Sequence, residues 1–200
     1  MRASQRIPQL PYATALIADM RALDARAGEI GRTADPAALR WNPPDGGWSV
    51  AQAFEHLCVS NDDYLKALRP LVARLPAVPN VEASALTWRP SLAGGFLARS
   101  MQSPRKLPTP KAWKPPAEPR DGVIAELLMR QREIVDLIER SMAHEWRRVR
   151  LGSPVSALIR MNVGDAFTIL VRHAERHFRQ IDERLAAFEA VRGARVAVPG

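Results

Sequence analysis

The residues best able to do chemistry lie between Val171 and Ile181, in the run V-R-H-A-E-R-H-F-R-Q-I. His173 and His177 are four residues apart inside a long stretch of helical periodicity. At about 100° per residue, such a pair stands one turn apart on one face of a helix. Two imidazoles placed that way can grip one metal ion without any change of backbone. On a wheel centred on Leu170, the residues Val163, Phe167, Ala174, Ile181 and Phe188 fall within about 60° of the centre. His177 falls at about −20°, inside the apolar stripe, and His173 at about −60°, on its edge. Exposed histidines would be expected on the opposite arc, with Arg172, Arg176, Arg179 and Glu183. A buried imidazole with no partner costs about 1–3 kcal/mol, so a buried pair needs either two separate partners or one shared cation.

Two histidines make half a site. A catalytic metal site usually takes three protein ligands and keeps a position open. The chain holds four histidines, so the remaining candidates are His56 and His144.

Helices must position these residues. The first is expected over about 9–31, where Leu10, Ala13, Leu16, Ile17, Met20, Leu23, Ala27 and Ile30 repeat at three and four and Gly31 is a plausible stop. A short helical turn follows, with Asp35 as N-cap and Pro36 at its first position. Trp41 to Gly47 reads as a turn-rich loop. The second long helix starts at Ser49, which forms a capping box with Gln52, and Trp48 is placed to fold over its first turn. It ends at Pro76 unless Pro70 kinks it first. His56 lies on its flank at about −100° from Leu57, a position that does not decide between a helix seam and water. Cys58 points about 200° away from His56 and reads as a small buried side chain. The third helix is expected over about 122–144 with Asp121 as N-cap, and places His144 near its C-terminus, where a cation suits the helix dipole. A connector over 147–161 leads to the fourth helix, about 163–192, with Asn162 as N-cap and Asp165 in its first turn. Glu55 and Glu175 flank the histidines but point elsewhere, and are expected to be solvated.

Between the second and third helices, residues 76–120 read as irregular. From Arg89 to Arg120 there are seven prolines, seven basic residues and one acid, Glu118, so this segment holds +6 of the chain's net +8. A connection so long is either functional or mobile. Strand signals are poor, because no segment alternates cleanly and β-branched residues do not cluster. The expected class is therefore all-α: a single domain over 1–200, built as a four-helix bundle with a Pro-rich basic insertion over about 76–120. One cysteine excludes an intrachain disulfide and a Cys-rich zinc finger. No apolar run is long enough for a membrane span and no signal-peptide core precedes Tyr12, so a cytoplasmic location is expected.

The stretch W-S-V-A-Q-A-F-E-H-L, ending at Leu57, and the stretch H-A-E-R-H-F-R-Q-I, from His173 to Ile181, together resemble the DinB superfamily. Its members look like W-S-x-x-E-x-x-x-H-L on the second helix of a four-helix bundle and H-x-x-x-H-x-x-Q-I on the fourth. Gln52 stands here where an acidic residue is frequent, and serves the same capping role. The resemblance implies three metal ligands, His56, His173 and His177, around a divalent cation, commonly zinc or nickel, with open positions for water or substrate. It also implies thiol chemistry with a low-molecular-weight thiol cosubstrate, and homodimers are frequent among relatives. Gln180, three residues after His177, is a candidate contact to cofactor or substrate. No general acid or base can be named.

Three neutral imidazoles leave a cation its full charge, which acidifies a bound water or thiol. A metal-dependent small-molecule thiol S-transferase is the leading expectation and a metal-dependent hydrolase the alternative, because the ligand set does not choose between thiol and water. A further alternative is a non-catalytic metal-binding bundle that takes an anionic partner through residues 89–120. Nucleic acid is not expected there, for the segment lacks a helical or aromatic-ladder pattern that reads bases.

Overall fold

The structure, a computed structural model, describes residues 6–44, 46–75, 85–103, 108–154 and 156–196, without the side chains of 157, 195 and 196. The chain runs β1 (Ile7–Pro8), α1 (Gln9–Thr33), α2 (Pro36–Arg40), α3 (Val50–Val72), β2 (Thr87–Trp88), α4 (Leu92–Gln102), a 3-10 turn (Lys111–Trp113), α5 (Val123–Ser141), β3 (Arg150–Ser153), β4 (Ser156–Asn162) and α6 (Val163–Val196). It is mostly helical, as the periodicity requires. Four long helices carry the core: α1 and α3 each pack against both α5 and α6.

Local chemistry explains where the helices begin. At α3 the Gln52 N–H donates to Ser49 Oγ (3.2 Å) while the Ser49 N–H donates to Gln52 Oε1 (3.0 Å), so two orphan donors of the first turn are satisfied reciprocally. Asn162 and Asp165 repeat the device at α6, where the Asp165 N–H donates to Asn162 Oδ1 (2.9 Å) and the Asn162 N–H to Asp165 Oδ2 (3.0 Å). Asp35 caps α2 through the Ala37 N–H at 2.8 Å, with Pro36 behind it. The face of α3 that carries Val50, Phe54, Leu57, Leu65 and Leu68 is fully buried. It meets Val123, Leu127 and Ile134 of α5 and Leu170, Ala174, Phe178 and Ile181 of α6 in two apolar clusters.

Several expectations need correction. The first helix runs past Gly31 to Thr33. α3 passes through Pro70 and ends at Val72, while the expected stop at Pro76 lies outside the described residues. Asp121 does not cap α5. The capping residue is Gly122, in the left-handed region at φ +74°, which a glycine adopts without Cβ strain, and Asp121 instead pairs with Arg40 at 2.5 Å. α5 ends at Ser141, so His144 sits in the turn beyond it, with its carbonyl accepting from Gln9 Nε2 at 2.6 Å.

The all-α expectation also missed two small antiparallel sheets, β1–β2 and β3–β4. In the second, Leu151 pairs with Met161 and Gly152 with Arg160, and the register shifts between Gly152 and Ser153. Leu151 and Met161 are buried whereas Leu158 is 95% exposed, so the apolar residues of β4 do not share one face and strict alternation never shows.

The segment expected to be irregular contains α4. Ser91 caps it by accepting from the Gly94 N–H at 3.0 Å. Two glycines in its first turn hide it from a propensity reading, but Gly94 is there for space: a Cβ would stand 2.2 Å from Asp165 Cγ. The Asp165 carboxylate in turn accepts from the Ser91 N–H at 3.1 and 3.2 Å. α4 is thereby held against α6.

Candidate metal centre

α3 carries His56 into the seam that α6 fills with His173 and His177. All three are buried, at 2%, 7% and 7% exposure. His173 Nε2 lies 3.1 Å from His56 Nε2 and 3.1 Å from His177 Nε2. The ligand atoms of the three residues all fall within 4.8 Å of one another. His144, the other candidate, is not part of this group.

Such a cluster is short of hydrogen atoms. His56 Nδ1 faces the Trp113 carbonyl at 2.7 Å. A carbonyl only accepts, so Nδ1 carries the proton and the neutral ring presents a bare lone pair at Nε2. His173 Nε2 lies against that lone pair, and His177 Nε2 lies against His173 Nε2 in turn. Nitrogen separations of 3.1 Å are close to the ~3.3 Å that ligand nitrogens keep around a tetrahedral cation at about 2.0–2.1 Å. The three residues therefore fit a shared divalent metal ion.

The electrostatics favour the ligating form. Burial lowers the pKa of His56, against the opposing effect of its hydrogen bond to the Trp113 carbonyl. Burial, then His56 and Arg176, bring His173 down to about 3. Burial, then the two other imidazoles and Arg176, hold His177 well below its ordinary value. All three are neutral at pH 7. The Gln180 amide, along α6, works against the shift at His177. His177 Nδ1 is itself buried with no hydrogen-bond partner among the described residues.

The segment expected to be a basic loop holds His56 in place. Its 3-10 turn lies on α3, where Trp113 Nε1 donates to Asp63 at 2.7 Å while the Trp113 carbonyl holds the ring of His56. Further along, the Pro116 and Ala117 carbonyls accept from Gln52 Nε2 at 3.2 and 3.3 Å. Arg120 then forms a forked pair with Glu55, with three contacts of 2.6–3.0 Å. Glu55 is buried rather than solvated, and the half-exposed Arg120 is engaged with it. Glu175 is half-buried and paired with Arg172.

A cavity of about 500 Å³ opens on the histidines. Trp48 covers them from the loop before α3, with its ring 4.9 Å from that of His56 and stacked at 6.1 Å on His177. Phe96, Leu97 and Met101 of α4 form an apolar wall. Gln180 lines the cavity, as do Arg176 and Arg184. The wheel placed Arg176 on the solvent arc, yet it is 8% exposed and donates to the Ser103 carbonyl at the end of α4. Without α4 in view, that arc could only be read as open to water. Cys58 is buried against the Val123 carbonyl, and burial pushes its thiol up to about 12, so it is no thiolate ligand.

No helix among the described residues is long and apolar enough to cross a membrane. No curated protein and no solved structure matches the chain. A family model described as the DinB superfamily matches residues 16–181, a span that contains both histidine motifs, the capping box of α3, the whole of α3 and the first half of α6. The chain belongs to the DinB superfamily.

Proposed function

We propose that His56, His173 and His177 hold one divalent metal ion, zinc or nickel by ligand type. The four long helices would form the family's bundle around it as a single domain, and the centre would serve a small-molecule thiol S-transferase. One observation carries this reading: three imidazole Nε2 atoms converge in a buried, neutral cluster at the floor of an open cavity. A divalent cation held by these three residues would supply Lewis acidity, enough to favour the thiolate form of a thiol near neutral pH.

The chain's own residues do the rest. The Trp113 carbonyl fixes the proton of His56 at Nδ1 and so orients the ring. Trp48 and the α4 side chains exclude water from the histidine side of the cavity, where electrostatic interactions are stronger than in bulk solvent. Gln180 supplies an amide that can orient a bound group. No carboxylate lines the cavity among the described residues. Ionisation of the nucleophile would then rest on the cation, for a thiol as for a water, and the thiol is preferred on the family resemblance.

The test is turnover by metal-reconstituted protein, with low-molecular-weight thiols paired with an activated electrophile. Thiol-dependent product formation that is lost on chelation and in His56→Ala supports the proposal. Turnover of an ester or amide with no thiol present would move the reading to the hydrolase. Activity that survives both chelation and His56→Ala would refute either.

A further inference from the structure

The cavity over the histidines is walled by aromatic rings. Trp48, Tyr64, Phe96 and Trp113 all line it, together with Leu97 and Met101. Two of the rings lie on the histidine cluster itself. Trp48 meets His56 and His177, and Trp113 stands 6.3 Å from the rings of both His56 and His173. Tyr64 follows Trp113 at 6.2 Å. The polar ends of Trp113 and Tyr64 are engaged within the protein. Trp113 Nε1 donates to Asp63, and the Tyr64 hydroxyl is bonded to the Ser153 side chain. What these two residues offer the cavity is therefore ring surface.

α4 adds Phe96, Leu97 and Met101 to the same cavity. The helix is fixed at both ends, by Asp165 at Ser91 and by Arg176 at the Ser103 carbonyl, so this wall is preformed. Phe96 is nonetheless 67% exposed, and a large apolar ring left open at a cavity gains by being covered. Met101 brings a thioether, which packs well against ring edges. A volume of about 500 Å³ is that of a site for a small organic ligand. Aromatic walls also suit a quaternary ammonium, but no aspartate or glutamate is among the described lining residues to pair with a cation. We infer that the cavity binds an aromatic, apolar molecule, its ring recognised by Trp113, Tyr64 and the α4 side chains Phe96, Leu97 and Met101. That this molecule is the electrophile which meets the thiol rests on the proposed metal centre; the recognition of its ring does not.

The experiment titrates the full chain with 1-naphthaleneacetamide by calorimetry, both as zinc-loaded and as chelator-treated protein. Saturable binding is expected in both forms. It should weaken about 10-fold in F96S/M101S, which removes apolar wall, and stay within about twofold in L92S. Leu92 is the control because it is 79% exposed on the same helix and is not among the described lining residues. The decahydro analogue of the probe, similar in bulk but without a π-system, should bind about fivefold more weakly. Absence of saturable binding in both forms overturns the inference, as does equal binding of the two probes, full affinity in F96S/M101S, or an equal loss in L92S. Binding by the zinc-loaded form alone means that the cation holds the amide; this overturns the inference and leaves the metal centre standing. Binding by protein that takes up no metal supports the inference while the metal reading fails. Should F96S/M101S lose its helical circular dichroism, F96S alone decides, with about a threefold loss of affinity expected and no loss overturning the assignment.

Discussion

At the scale of single residues, the spacing of His173 and His177 was the most legible feature of the chain, because a four-residue step on a helix dictates a shared face. His56 was not legible in the same way. Its wheel position on the flank of α3 allowed water or protein, and only the Trp113 carbonyl 2.7 Å from Nδ1 explains why it is buried and how its tautomer is set. On the helix wheel Glu55 flanks a histidine but points elsewhere, which reads as a solvated carboxylate. Its partner, Arg120, lies 65 residues away, and no periodicity reveals such a pair. Glu55→Gln therefore tests the structure directly. It removes the charge of a buried carboxylate from a forked pair whose arginine is half-exposed, and is expected to cost about 1–2 kcal/mol of stability in urea unfolding. A change within about 0.3 kcal/mol would mean that the pair is not formed in solution.

At the scale of elements, the long helices were legible from their caps and apolar stripes, and the capping boxes of α3 and α6 stand where the residue types placed them. The short pieces were not. α4 needs Gly94 to approach Asp165, and the glycines that make the contact lower the helical propensity that would have revealed it. Gly94→Ala is expected to lift α4 from α6 at a cost of about 1–3 kcal/mol, with faster hydrogen exchange at the α4 amides; unchanged exchange would contradict the packing. The turn over 111–113 holds His56 only as firmly as Asp63 holds Trp113. Asp63→Ala is expected to lower metal affinity about 10-fold, the usual effect of losing a group that orients a ligand, measured by competition with a chromophoric chelator. Equal affinity would show that Trp113 keeps its place without this bond.

At the scale of the whole molecule, the buried imidazoles and the half-buried Asp24 pull stability in opposite directions with pH. The three imidazoles have folded pKa values below their unfolded value of about 6.5. The unfolded chain takes up their protons first, so their contribution is full above about pH 6.5 and is lost as pH falls. Asp24 behaves in reverse. Burial raises its carboxyl to about 6, against the pull of Arg132, so its protonated form favours the fold and that contribution is lost as pH rises from about 4 to 6. Asp24→Asn is expected to gain about 1 kcal/mol at pH 7, after discounting for partial exposure, and to gain nothing at pH 4. Guanidinium unfolding at both pH values checks it, and an equal effect at the two would contradict the assignment. In chelator-treated protein the imidazoles should make stability drop between pH 7 and pH 5, and more steeply so with metal bound, because protons then also compete for the ligands.

The central question is whether the three imidazoles hold a metal ion. Elemental mass spectrometry of untagged protein, purified without chelator, answers it beside His173→Ala and His177→Ala variants shown to be folded by circular dichroism. Close to one equivalent of zinc or nickel in the parent, and little in either variant, is the predicted result. A parent that remains metal-free after incubation with both ions, or a variant that keeps its full complement, would contradict the three-histidine centre.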